Sequence, residues 1–352
     1  MPEDLNIGLM FSFRKTDPKR SFADVYRDEL DLVRDAEQLG FDTVWLTEHH
    51  FAEDGYSPSI IPIAAAIAAI TTRVRIGFNL LLLPLHHAVQ LAENLATVDV
   101  ISNGRLDVGL GQGYAVHEFA GYGIPRSERL TRFLEGLDVL TGLWTNEEFS
   151  YDGKHYQVDA ARLVPRPVQQ PAPPMWIGAT SDKAVRRAGR RGMNLLGLAN
   201  EALQAAYEDA RREAGLTLDT AKVLQLHWAH VGETDDDAWN EAGAAFRHLL
   251  TVYWQWGKAA ADSEGVPFPV PEVPSVDELR RGATTLFQPV IGSPETVVRL
   301  LSTSMATTLT THLALGVLPG LDPQLTAASM RRLIADVTPV LKASAGNVKA
   351  DP

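Results

Sequence analysis

The stretch "VRIGFNLLLLPLHHAVQLAENLATVDVISNGRLDVGLGQG", residues 74–113, contains one complete strand–helix–strand unit. An apolar run at 74–83 is followed by a segment with helical spacing at 86–105 and by a second apolar run at 106–113. Both runs are almost continuously hydrophobic, which is typical of strands in a parallel sheet that is covered on both faces. The stretch therefore predicts a parallel sheet with a helix packed against it.

The same alternation continues in both directions along the chain. Helical segments lie between the runs; one of them, 21–40, begins with Ser21 and Asp24 as a capping box and ends at Gly40. Eight strands separated by helices predict an α/β fold of the (β/α)8 TIM barrel type, because right-handed crossovers close at about that number. A doubly wound open sheet is the structural alternative. The six further apolar runs are 6–13, 43–48, 175–180, 194–199, 224–231 and 311–317.

Two segments depart from this alternation. The sequence "FSYDGKHYQV" at 149–158 has an Asp-Gly turn between short strands, which predicts a hairpin before the fifth strand. A long insertion at about 240–290 separates the seventh and eighth strands; its first part, 234–257, has helical spacing, and 263–281 is typical of a long loop. We predict one domain over 1–352, in which the insertion is a lid over the barrel mouth and its Pro-rich loop, 262–290, covers the ligand.

Composition restricts the classes of function. Lys+Arg total 32 against 44 for Asp+Glu, so the net charge is −12, which argues against a nucleic-acid partner. The chain has no cysteine, which excludes thiol catalysis and a disulfide scaffold. The N-terminus lacks a basic segment followed by a long apolar run, and the apolar segment 59–70 is short for a membrane span and contains a proline. These features predict a cytoplasmic protein without a membrane partner.

Polar side chains follow the apolar runs at the ends where an α/β barrel has its active site. The second run, in "TVWLTEHHF" at 43–51, leads into Glu48, His49 and His50. An acid and an imidazole at one strand end are a ready general acid/base pair, so Glu48 and His49 are the predicted catalytic residues. We interpret the other histidines near strand ends as hydrogen-bonded packing residues, namely His50, His86, His227, His230 and His312.

Two further strand ends have features that suit a ligand. The sequence "GLGQGY" at 109–114 lacks the third spaced glycine of a dinucleotide fingerprint, and its glycines favour the close approach of a planar ligand to the backbone. Ser181 occupies the position of a helix cap after Thr180. A helix N-terminus directs backbone N–H groups and a positive dipole end at the mouth, which is how barrels hold phosphate.

Several segments together resemble the bacterial luciferase-like, flavin-dependent monooxygenases. They occur in the expected order and cover most of the chain, except the 240–290 insertion and the C-terminal tail. The resemblance implies a barrel that binds reduced FMN at its mouth, reacts it with oxygen to a flavin hydroperoxide and oxygenates an organic substrate. It also implies a separate flavin reductase. The segments are 43–51, 73–114 with "EFAGYGIP" at 118–125, "LVPRPVQQPAPPMWIGATS" at 163–181 and "IGSPETV" at 291–297.

The resemblance also implies site residues. The catalytic imidazole of the family corresponds to His49, with Glu48 beside it, and a non-prolyl cis peptide that supports the flavin ring corresponds to Asn79 and Leu80. One departure concerns phosphate binding: Gln112 is uncharged where bacterial luciferase has an arginine, so backbone amides, Arg186 or Arg187 are the candidates here. Contacts to the flavin and its phosphate are expected from Gly111, Gln112, Gly113, Tyr114, Thr180 and Ser181.

Other readings of the sequence stay open. Some relatives of the same fold use the deazaflavin F420, so an F420-dependent oxidoreductase is one alternative. A metal-dependent barrel hydrolase would use Glu48, His50, His86 and His227; adjacent histidines on an extended chain point in opposite directions, which argues against it. A non-catalytic flavin-binding protein would not need His49. The apolar helix at 83–102 offers surface for a homodimer.

Overall fold

The computed structural model describes residues 5–197 and 200–347. In this part of the chain there are twelve strands: β1 (Asn6–Phe11), β2 (Thr43–Leu46), β3 (Arg75–Phe78), β4 (Leu81–Leu82), β5 (Leu106–Gly111), β6 (Phe149–Asp152), β7 (Gln157–Ala161), β8 (Met175–Gly178), β9 (Asn194–Leu196), β10 (Val223–Val231), β11 (Val290–Gly292) and β12 (His312–Gly316). Eight of them form a closed ring of parallel strands in the order β1, β2, β3, β5, β8, β9, β10 and β12, and β12 pairs with β1. The predicted (β/α)8 barrel is confirmed, and the alternative of an open sheet is wrong.

The helices within the described residues are α1 (Phe22–Leu39), α2 (Ile60–Ile70), α3 (Ala88–Ile101), α4 (Val116–Gly121), α5 (Arg129–Thr145), α6 (Asp182–Arg190), α7 (Glu201–Glu213), α8 (Asp235–Glu264), α9 (Val276–Arg280), α10 (Pro294–Met305), α11 (Pro323–Arg332) and α12 (Thr338–Asn347). The caps predicted for α1 are present: the Ser21 hydroxyl accepts the Asp24 N–H at 3.1 Å, and Gly40 ends the helix with φ 97°. None of these helices is long and apolar enough to cross a membrane.

The strands agree with the apolar runs, with a few differences. The run 74–83 forms two strands, β3 and β4, which are separated by residues 79–80. Residues 198–199 of the run 194–199 lie outside the described residues. The predicted hairpin is present as the antiparallel pair of β6 and β7. The sequence pattern does not predict β11, which has three residues and pairs with β10 outside the ring.

Tryptophan side chains fill the barrel interior, and glycines on neighbouring strands make room for them. Trp45 on β2 lies between Gly8 and Gly77, where an added Cβ would overlap its indole ring. Trp45 also packs edge-on against Trp176 with ring centroids 5.6 Å apart, and Trp228 occupies the space beside Gly316. Because these rings pack like a solid core, ligand chemistry is left to the end of the barrel where the strands terminate.

The insertion after β10 is mostly helical. Its first helix, α8, has 30 residues and continues seven residues beyond the predicted 257, to Glu264. The prediction of one long loop at 263–281 is wrong at its end, because Ser275 and Glu278 form a capping box that starts α9. The loop between these helices packs back onto α8, where the Trp254 indole N–H donates to the Val270 carbonyl at 2.8 Å.

Candidate active site

The chain leaves β2 at Leu46, and successive side chains then point in opposite directions. Glu48 and His50 lie on one side, where the Glu48 carboxylate is 3.2 Å from His50 Nε2. His49 lies on the other side, among aromatic rings at the mouth. The predicted opposite orientation of the two histidines therefore agrees with the structure. The predicted pairing of Glu48 with His49 is wrong, because the alternation of an extended chain separates neighbouring side chains.

Glu48 is instead the centre of a buried polar cluster. Its carboxylate lies 2.8 Å from His86 Nε2 and accepts the Leu82 backbone N–H at 2.5 Å. Burial opposes ionisation of this group, but the charges and hydrogen bonds of His86 and His50 outweigh burial and lower the Glu48 pKa to about 2. The same contact raises the pKa of His86 against the effect of its burial. Glu48 thus holds the segment after β3 in place rather than facing the mouth.

The carboxylate partner of His49 is Glu118 on α4. Glu118 is fully buried, and its Oε1 lies 2.9 Å from His49 Nδ1. The same oxygen accepts the backbone N–H of His50 at 3.0 Å. The His49 Nε2 has no hydrogen-bond partner among the residues that the structure describes. A general acid/base histidine is typically arranged in this way: a carboxylate fixes one ring nitrogen, and the other ring nitrogen is free.

Four aromatic rings surround the His49 imidazole. The ring centroids lie at 4.6 Å for Trp256, 4.7 Å for Tyr56, 5.6 Å for Tyr253 and 6.2 Å for Tyr114. The Tyr56 and Tyr253 hydroxyls are hydrogen-bonded to each other at 2.7 Å, and burial raises the pKa of both phenols. Of the four, the sequence predicts only Tyr114 as a site residue. Tyr253 and Trp256 belong to α8, so a helix rather than the Pro-rich loop lies against His49.

The residues expected to support a flavin ring come together beside this histidine. The peptide bond between Asn79 and Leu80 is cis, as the resemblance implies. The Leu80 side chain lies against Gly111 of β5 and Gly178 of β8, and a Cβ at either glycine would overlap it. Leu82 pairs with Gly111 in the sheet. Backbone segments of β4, β5 and β8 thus lie around the Leu80 side chain.

The segment expected to bind phosphate is placed at the start of α6. Ser181 is the N-cap residue, yet its side chain makes no capping hydrogen bond, and both Thr180 and Ser181 are exposed. Gln112 and Arg187 line a small cavity next to this helix. Arg187 has no ion-pair partner in the described part of the chain, whereas Arg186 is paired with Asp182 at 3.1 Å. Arg187 is therefore the better placed of the two arginines.

Three other histidines near strand ends have surroundings of their own. His227 bonds to Gln225 at 3.1 Å, and burial lowers its pKa to about 4. His230 contacts Glu241 of α8 at 2.6 Å, and His312 lies at the opposite end of the barrel, next to Asn6 at the start of β1. These partners agree with the prediction that His227 and His230 are hydrogen-bonded packing residues. In the described ranges no three His, Asp or Glu side chains are arranged to hold a metal ion.

A closed barrel with an imidazole–carboxylate pair and the partly exposed Leu80 side chain at its mouth has the architecture of an α/β-barrel enzyme. The sequence profile of the luciferase-like monooxygenases matches residues 5–312. The chain belongs to this family, and the predictions of the family and of an oxidoreductase are confirmed.

Individual relatives differ in their cofactors. The oxygenase component of the flavin-dependent trigonelline monooxygenase from Acinetobacter baylyi is 24% identical over 66% of this chain and 67% of that protein. The F420-dependent glucose-6-phosphate dehydrogenase from Microbacterium testaceum is 33% identical over 54% of this chain and 60% of that protein. Matches with two uncharacterised proteins of Sinorhizobium fredii, at 36% and 31% identity, span 50% and 73% of those proteins.

A solved structure supports the same fold. It is the oxygenating constituent of 3,6-diketocamphane monooxygenase from Pseudomonas putida, a type II Baeyer-Villiger monooxygenase in complex with FMN. The TM-score is 0.77 and the identity 22%, over 96% of this chain and 98% of that one. At this identity the likeness establishes the fold alone.

Proposed function

We propose that this chain is the oxygenase component of a two-component, flavin-dependent monooxygenase. It takes reduced FMN from a separate reductase and uses dioxygen to oxygenate an organic substrate. The observation that carries the proposal is the meeting of Leu80 with Gly111 and Gly178 at the rim that also holds His49. The flavin-dependent relative supports the choice of cofactor.

The residues at the rim fit FMN. Gly111 and Gly178 make room for the Leu80 side chain, and this partly exposed side chain gives an apolar surface on which a flat ring can pack. Ser181 leaves the first N–H groups of α6 without a side-chain cap, and Arg187, in the last turn of α6, adds a positive charge to the cavity that Gln112 also lines. These are the groups that bind a phosphate at a helix N-terminus. When bound, reduced FMN supplies the electrons that activate dioxygen.

The protein groups around His49 then have defined tasks. Glu118 fixes the imidazole through Nδ1, so that the free Nε2 donates or accepts a proton at the reacting atoms. Tyr253 and Trp256 cover this nitrogen with apolar ring surface and exclude water from the reaction.

Titration with FMN and riboflavin tests the cofactor assignment. Reduced FMN binds the wild-type chain, and Arg187→Ala weakens FMN binding by about tenfold or more, the magnitude of a lost charge-assisted hydrogen bond. Riboflavin, which lacks the phosphate, binds both proteins equally and is the matched control. With photoreduced FMN the wild-type chain consumes oxygen, whereas added NADH is not oxidised without a reductase. Failure of the chain to bind FMN in either redox state would refute the proposal.

The F420-dependent relative supports a second candidate, an F420-dependent oxidoreductase built on the same site. A deazaflavin would use the same surface at Leu80 and the same imidazole, so the two candidates differ mainly in the cofactor bound. Parallel titrations with FMN and F420 separate them. Tight binding of F420 with no binding of FMN would replace the first candidate with the second.

A further inference from the structure

A continuous aromatic wall extends along one side of the mouth, formed by Tyr253, Trp256, Phe287 and His117, and it adjoins Trp228 of the barrel core. Tyr253 is at its centre, with ring centroids 5.0 Å from Phe287, 5.8 Å from Trp256 and 6.5 Å from Trp228. Trp256 in turn lies 5.4 Å from His117. Tyr253 and Trp256 are only partly buried, so their rings offer surface to a ligand next to His49.

The wall is held in one arrangement before any ligand binds. The Tyr253 hydroxyl is bonded to that of Tyr56, and the Arg14 guanidinium lies over the Tyr56 ring at 4.4 Å. Arg14 is itself fixed by Asp54 at 2.6 Å. At the far end of α8, Glu264 is paired with arginines next to α5, at 2.8 Å for Arg126 and 3.0 Å for Arg129. A wall carried by a helix that is attached at Tyr253 and at its C-terminal end is a preorganised binding surface.

The charged groups next to the wall are already engaged. Glu118 is used by His49 and by the His50 backbone. The Arg14 charge lies behind Tyr56 and is compensated by Asp54. Among the described residues, no other cation is recorded over a ring of the wall or of Tyr56. A ligand that packs on the exposed parts of the wall next to His49 therefore meets ring faces and ring edges rather than a free charge.

The geometry points to a flat, uncharged ring compound as the substrate, selected by Tyr253 and Trp256; this inference rests on the proposed function. Ring faces and edges favour flat aromatic partners through offset and edge-to-face packing. Both selecting residues belong to the insertion after β10, so this insertion determines which substrate reaches His49.

Two probes of equal carbon skeleton test the inference, 2-naphthol and its saturated analogue decahydro-2-naphthol. Both are uncharged at neutral pH, and only the first is flat. Calorimetric titration of the FMN-loaded chain gives at least tenfold tighter binding of 2-naphthol, which corresponds to about 1.4 kcal/mol. Trp256→Leu brings the ratio of the two affinities close to one, whereas Trp256→Phe keeps most of it.

Trp254→Leu is the matched control, because Trp254 is on the same helix but contacts the loop at Val270. Trp254→Leu leaves the ratio of the two affinities unchanged, even if a looser α8 weakens the binding of both probes alike. Equal binding of the two probes by the wild-type chain, or an unchanged ratio in Trp256→Leu, would overturn the inference. So would tighter binding of the cation N-methylquinolinium than of 2-naphthol. Repeating the titrations without FMN separates this result from the cofactor assignment: a chain that fails to bind FMN but keeps the ratio refutes only the proposed function.

Discussion

His49 and His50 are adjacent and chemically identical, yet the backbone gives them different surroundings. The imidazole of His49 is bonded to Glu118 and lies among four aromatic rings, whereas that of His50 lies beside Glu48 and Tyr122. The two residues therefore form a natural pair for separating catalysis from packing.

Replacing each histidine by alanine should give opposite results. His49→Ala lowers the rate of substrate oxygenation by a factor of about 10² to 10⁴, the usual contribution of a general acid/base, with little change in flavin affinity. His50→Ala lowers the midpoint of urea unfolding, since it removes a partner of buried Glu48, and keeps most of the turnover. Steady-state oxygen consumption and unfolding curves measure both effects. If only His50→Ala abolished oxygenation, the assignment of the base would be wrong.

Because of Glu48, the stability of the protein should depend on pH in the acidic range. Its pKa is about 2 in the folded protein against an ordinary 4.5, so its ionised form stabilises the fold above pH 4.5. This contribution is lost as the pH falls from 4.5 towards 2, and it amounts to roughly 3 kcal/mol. Urea unfolding curves across this pH window should show that the wild type loses free energy of unfolding, whereas Glu48→Gln does not. Parallel curves for the two proteins would contradict the expectation.

At the scale of elements, two of the three tryptophans of α8 have different tasks. Trp256 faces His49, and Trp254 holds the loop at Val270. The sequence-based prediction gave the covering role to the Pro-rich loop, but this loop packs on the helix through Phe268, which contacts Trp254 and Gly257. We therefore propose that α8, rather than this loop, covers the site.

Replacing each of these two tryptophans by alanine should have a different effect on the coupling of flavin oxidation to product formation. Trp256→Ala opens the space beside His49 to water, so release of hydrogen peroxide rises at the expense of product. Trp254→Ala frees the loop and lowers stability by about 2 kcal/mol, with peroxide release unchanged. A peroxidase-coupled assay with photoreduced FMN measures the release. Equal peroxide release from the two variants would argue against α8 as the cover.

At the scale of the whole molecule, an apolar surface lies outside the barrel on the side of α2 and α3. Val100, Ile101, Phe51 and Tyr122 are between 41% and 61% exposed there. An open cleft next to them is lined by Ile61 and other residues of the same two helices. We propose that this surface forms a homodimer, since monomers rarely leave such residues grouped in water.

A charge placed on this surface tests the dimer. Ile101→Glu should convert the protein to a monomer, because a carboxylate in an apolar interface loses its hydration without gaining a partner. Light scattering coupled to gel filtration measures the mass. Val340→Glu on α12, where Val340 is 46% exposed, is the control and should leave the mass unchanged. A wild-type chain that is already monomeric at micromolar concentration would refute the proposal.

The sequence by itself determined the barrel, the separate directions of His49 and His50, and the family. Each of these depends on local signals, namely apolar runs of strand length, the alternation of side chains on an extended chain, and short ordered motifs. Only the tertiary structure decided that Glu118, 69 residues from His49, is its partner. It also decided that Tyr253 and Trp256 cover the imidazole. Contacts between distant segments depend on how the strands close and how α8 lies across their ends, and no local pattern in the sequence encodes that geometry.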